Sequence, residues 1–172
     1  IHRMDGNFMH SKVKDKDGFG LTAGYGYTPS KNFYSGIGIK YYDERLDLND
    51  MGYLILNDRF MLNGRTQFKR TTFQEGSVLR SRLFEIGYGS KFNVDSERES
   101  SNFALKLENN FVNLSEIKAE VFYRSTGRNT RITRGSKFAP FIKMPKGMGG
   151  YIDFTGPRRP TYVYGLRFER GR

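Results

Sequence analysis

Four acidic residues stand close together at Asp43, Glu44, Asp47 and Asp50, with Asn49 among them. Carboxylate and amide oxygens gathered this way suit a hard cation such as calcium, which takes about six to eight oxygen ligands. The spacing is not that of an EF-hand, because the sixth-position glycine and the closing glutamate are missing. A solvated loop beside a strand explains the same residues. No metal is therefore assigned, and these four remain the candidates for one.

His2 and His10 are the chain's two histidines. A hydrolase in the outer membrane would use such a residue as a base beside a Ser or acidic partner. Neither histidine has a recognisable partner motif, and an exposed strand or tail position accounts for both. "GYGYT" (24–28) and "GIGIK" (36–40) have the glycine content of phosphate loops. They lack a following helix and the Gly-Lys-Ser/Thr ending, and small residues in a curved sheet explain them better. No catalytic residue and no cofactor is assigned.

Arg124, Arg128, Arg131 and Arg134 recur at spacings of four, three and three. On a helix they would form a basic stripe. Gly127, Gly135 and the β-branched residues between them argue for strand and loop. Two roles fit: pairing inside a lumen with acids such as Glu116 and Glu120, or contact with lipopolysaccharide phosphates.

The elements that must position these groups are strands. The chain of 172 residues has 20 Gly, 15 Phe and 11 Tyr, and neither Cys nor Trp. Disulfides, thiolate catalysis and zinc–cysteine sites are excluded. The net charge of +11 would suit a polyanion, but the basic residues are spread along the chain rather than massed, so no nucleic-acid partner is expected. No segment has the roughly 20 apolar residues of a transmembrane helix. Transmembrane strands need only about 9–11 residues, with alternate ones apolar.

Period two dominates. Phe19, Leu21, Ala23, Tyr25 and Tyr27 share one face, against Gly20, Thr22, Gly24 and Gly26. After the turn "TPSKN", Phe33, Ile37, Ile39 and Tyr41 repeat the pattern. Phe60, Leu62, Thr66 and Phe68 oppose Arg59, Asn63, Arg65, Gln67 and Lys69, with Met61 as the exception. From Val78 to Phe92 the apolar phase switches, which predicts a bulge near Leu83–Phe84. Residues 103–111 and 117–124 alternate around the turn "VNLSE", and "GGYIDFTG" and "TYVYGLRFE" complete the set. About eight to ten antiparallel strands are expected, with no helix.

A soluble sandwich alternates too, so an all-β module binding a polyanion stays open, as does the hydrolase. Three features favour an up-and-down transmembrane β-barrel. The polar faces mix Gly and Thr with charged residues. Tyr25, Tyr27, Phe33, Tyr41, Tyr42, Phe92, Tyr123 and Phe168 fall near expected strand ends, as in aromatic girdles. Short turns coexist with long polar loops such as "NVDSERESSN".

Leu46 to Phe68, "LDLNDMGYLILNDRFMLNGRTQF", resembles a segment of a bacterial family of uncharacterised proteins. In that family a domain like the family-9 carbohydrate-binding module precedes a C-terminal outer-membrane β-barrel. The matching positions are Asn49, Asp50, Met51, Gly52, Tyr53, Leu54, Asn57 and Asp58. "NTRITRGSKFAPF" is similar to the family's Thr-Arg-Gly-Gly-Pro element at Thr133, Arg134 and Gly135, but Ser136 replaces the second glycine. Residues 1–172 are expected to form one non-enzymatic barrel unit. The resemblance spans about Leu46 to Met148 and implies an outer-membrane barrel region of a longer chain, with no catalytic residue carried over. It implies the bacterial outer membrane as the location, and its lipid, lipopolysaccharide and other envelope proteins as partners.

Overall fold

A computed structural model describes residues 1–13, 15–46, 59–93, 98–129, 142–157 and 165–171. The described chain is all strand and connection, with no helix among those residues. In order the strands are β1 (His2–Val13), β2 (Lys16–Ser30), β3 (Phe33–Tyr42), β4 (Arg59–Arg70), β5 (Leu79–Phe92) and β6 (Arg98–Phe111). Then come β7 (Glu116–Arg124), β8 (Gly127–Asn129), β9 (Ile142–Met144), β10 (Gly147–Thr155) and β11 (Gly165–Gly171). Nine of them form one antiparallel meander in the order β1-β2-β3-β4-β5-β6-β7-β10-β11, and β8 and β9 make a separate two-stranded ribbon. The sheet is not closed: β1 and β11 are its edges.

Register fixes the faces. One cross-strand row runs Met4, Tyr25, Ile37, Gly64, Tyr88, Phe103, Tyr123 and Met148. Side chains two residues along each strand fall on the same face, so the apolar positions of every strand meet on one side. The expected bulge at Leu83–Phe84 is not there. Leu83 keeps its place opposite Lys69 and Glu108, on the other face, and the irregularities of the β5–β6 pairing lie at Leu79/Ser81 and Lys91/Phe92. The phase switch is simply a leucine on the polar side.

β1 is a strand that periodicity did not disclose. Met4 and Phe8 are the apolar residues on its side of the sheet, diluted by His2, Gly6 and His10.

The two ends of the meander differ. At one end, 2, 8, 4 and 9 residues connect successive strands. At the other, 2, 16, 5 and 22 do so, the longest including the β8–β9 ribbon. At this longer-loop end Leu46 is 1% exposed and lies over Gly20, where a Cβ would stand 2.9 Å from its Cδ2. At Gly18 a Cβ would run into the Arg45–Leu46 backbone. The two glycines thus admit the start of this connection onto the polar face. Leu46 is the one buried hydrophobic residue among those described.

Candidate functional site

The chemistry-bearing residues are dispersed. His2 Nδ1 is 2.7 Å from the Tyr25 hydroxyl, and His10 Nε2 is 3.1 Å from Asp17 Oδ1. They stand on one strand eight residues apart, and neither is hydrogen-bonded to a serine among the described residues. Asp43 forms a local turn: its Oδ1 accepts from the Arg45 amide at 3.1 Å and its carbonyl from the Leu46 amide at 3.2 Å. Glu44 is exposed beside it. Asp47 and Asp50 lie outside the described residues, as do Arg131, Arg134 and most of the two stretches that carry the family resemblance. Among the described residues no three acidic or His side chains are grouped for a metal. Arg124 is on the polar face, in register with Asn102 and Gly147, and Arg128 is in the β8–β9 ribbon. Glu116 and Glu120 share the polar face with Arg124, but their contacts go to Lys118 and Tyr151.

What the fold does bring together is a whole surface. Nineteen of the large hydrophobic residues at least 36% exposed lie on one face of the nine-stranded sheet. Val121, Ile152 and Phe168 are 55%, 56% and 70% exposed. The central carboxylates on the opposite face are better covered, with Glu85 22% exposed, Glu108 21% and Glu116 21%, while Arg65 and the edge pair Arg167–Glu169 stay exposed. Burial is therefore inverted relative to a water-soluble domain. Half-exposing nineteen large side chains in water would forgo on the order of 20 kcal/mol of burial. A domain's net stability is about 5–15 kcal/mol. This face requires an apolar surrounding.

The polar face is tied by ion pairs and hydrogen bonds. Arg65 and Gln67 both reach Glu85, at 3.0 and 2.6 Å. Lys106 meets Glu108 at 3.3 Å, Lys118 meets Glu116 at 2.8 Å, and Tyr151 donates to Glu120 at 3.1 Å. Glu108, Lys118, Asp153 and Arg167 form one cross-strand row of alternating charge over four strands. Opposite charges directly across a sheet attract, so this row favours the observed register. Towards the longer-loop end Arg59 is bridged to Glu99 at 3.0 Å, both nearly buried.

The chain matches no protein-family model, no curated protein and no solved structure.

The apolar band slants across the sheet. On β2 the first polar residue towards the longer-loop end is Asp17, eight residues from the row through Tyr25. On β11 it is Arg170, opposite Gly150, which lies two residues beyond that row on its other side. The border thus shifts by ten residues over the seven strand steps between β2 and β11. With about 3.3 Å per residue and about 4.8 Å between strands, that is a slope of roughly 45°. The opposite border moves less, from His2 on β1 to Gly156 beyond β10, a slope of roughly 30°. Aromatic residues mark the edges: Tyr41 precedes Asp43, Tyr123 precedes Ser125, and Phe168 precedes Arg170. Tyr25 is within the band instead, and Tyr42 is on the polar face beside Gly20 and Arg59.

The described residues also line hollows. A groove of about 710 Å³ lies over Gly150, between Val121, Met148, Ile152 and Phe168, with Arg170 at its rim. A smaller one of about 310 Å³ is at the shorter-loop end, between Arg80, Leu114 and Glu116. Ser115 and Glu116 both line the smaller one, but Ser115 Oγ donates to Asn113 Oδ1 and Glu116 pairs with Lys118.

Proposed function

We propose that this chain is a non-enzymatic region of a bacterial outer-membrane β-barrel, acting as membrane anchor or pore wall. The observation that carries the reading is the inverted burial of the sheet, an exposed apolar face backed by a covered, ion-paired one. The slant of the apolar band supports it, since strands of such barrels tilt by about 35–45°. The band also has a suitable height. Phe60 and Phe68 on β4 are eight residue steps apart, about 26 Å along the strand and about 20 Å when tilted. The polar face then lines an aqueous interior, and its glycines leave room for curvature.

An open sheet edge is costly in lipid, where unpaired backbone groups find no water. Both edges here run in the same direction, because nine antiparallel strands separate into five and four. Closure by antiparallel pairing therefore takes an odd number of further strands, and we place this sheet within a larger barrel. The shorter connections would face the periplasm and the longer ones the exterior. The resemblance to the barrel that follows a domain like the family-9 carbohydrate-binding module accords with an envelope or carbohydrate-related assembly.

Reconstitution tests this reading. The intact protein should float with lipid vesicles, resist extraction by alkaline carbonate, and need detergent to stay in solution. A sharp monomeric profile in detergent-free buffer would remove the proposal.

A further inference from the structure

Two arginines stand where the apolar face ends at the shorter-loop side. Arg70 and Arg82 are direct cross-strand partners on β4 and β5. They lie on the lipid-side face, two residues beyond the Phe68–Phe84 pair, whose rings are 6.4 Å apart. Like charges facing each other across a sheet repel. No acidic side chain pairs with either among the described residues.

Both guanidiniums are held in place all the same. Arg70 Nε donates to the Thr72 carbonyl at 3.1 Å, and its guanidinium lies over the Phe73 ring at 5.1 Å. Arg82 Nε donates to Asn109 Oδ1 at 2.7 Å. Each tether uses Nε and leaves the two Nη groups without a protein acceptor among the described residues. Lys69, next to Arg70, is on the polar face, and Glu75 is in the β4–β5 connection. The arrangement is a pair of oriented, unneutralised forks at the border of an apolar wall.

We propose that Arg70 and Arg82 bind the phosphate of an anionic phospholipid, its acyl chains lying on Phe68 and Phe84. Guanidinium forks match phosphate oxygens bidentately, and one phosphate between two arginines relieves their repulsion. The inference rests on the membrane reading, and it assigns this end to the phospholipid leaflet. It also departs from the sequence-based candidates for lipid contact, since Arg124 is on the polar face.

The test uses intact protein in phosphatidylcholine vesicles alone, with phosphatidylglycerol, or with lipopolysaccharide, insertion and retained lipid being measured separately. Wild type should retain phosphatidylglycerol in preference to phosphatidylcholine. R70Q/R82Q should insert equally well but bind phosphatidylglycerol about tenfold more weakly, and K143Q, in the β8–β9 ribbon, should behave as wild type. The R70K/R82K variant, which keeps the charge and loses the fork, should fall between. Equal retention of the two lipids by wild type, or undiminished preference in R70Q/R82Q, overturns the site. Preference for lipopolysaccharide over phosphatidylglycerol overturns its assignment to a phospholipid. Failure of wild type to insert into either vesicle overturns the barrel reading, and this site with it.

Discussion

At the scale of single residues, the ion pairs among the described residues hold the sheet together to different degrees. Arg59 and Glu99 are the clearest case. Removing one partner of a buried pair leaves an uncompensated charge, which costs about 3–5 kcal/mol. Glu99→Ala should therefore lower the midpoint of denaturant unfolding markedly, whereas replacing the exposed Glu169 of the Arg167–Glu169 pair, 55% and 60% exposed, should change it little. Gly18 makes a second test. Gly18→Val should drive the Arg45–Leu46 backbone off the polar face, read as increased protease cleavage after Arg45. The arginine set at 124, 128, 131 and 134 suggested one functional group in the sequence. Register places Arg124 on the sheet and Arg128 on the ribbon, because the chain leaves the sheet after Arg124. Arg70 and Arg82 are 12 positions apart in sequence, with a turn of unknown geometry between them, so their pairing was not readable before the register was known.

At the scale of strands, alternation decides which substitutions matter. Val121 is within the slanting band on β7, and Glu120 beside it points the other way. Val121→Lys should cost about 2–4 kcal/mol of stability in a bilayer, since a cation there meets hydrocarbon. Glu120→Gln keeps an acceptor for Tyr151 and should cost under about 1 kcal/mol. Urea unfolding of the reconstituted variants compares the two directly. Alternation is also why much of the fold was legible in the sequence. β2, β3, β4, β6 and β7 carry bulky apolar residues at most alternate positions, interrupted by residues such as Ser35, Gly64 and Asn109, and the hairpins at Lys31–Asn32 and 112–115 follow from their turn residues. At the second turn Leu114 takes a positive φ of 68°, a conformation with nothing in the sequence to announce it. β1 was hidden because its pattern is borne by Met, His and Gly. The cross-strand row Glu108–Lys118–Asp153–Arg167 was hidden because it depends on register between strands, which alternation within a strand does not specify.

At the scale of the molecule, the central claim is that one side of the nine-stranded sheet faces lipid and the other faces water. Strand tilt gives one check: polarised infrared spectra of oriented bilayers should place the strands about 35–45° from the membrane normal. The direct check exploits the absence of cysteine from the chain. Single cysteines introduced at positions 117 to 123 on β7, each carrying a spin label, report local access to oxygen and to a water-soluble nickel complex. Lipid facing at 117, 119, 121 and 123 predicts high oxygen access there and high nickel access at 118, 120 and 122, alternating residue by residue. Nickel access at every position, or shielding of the odd positions from both reagents as in a buried soluble core, would contradict it.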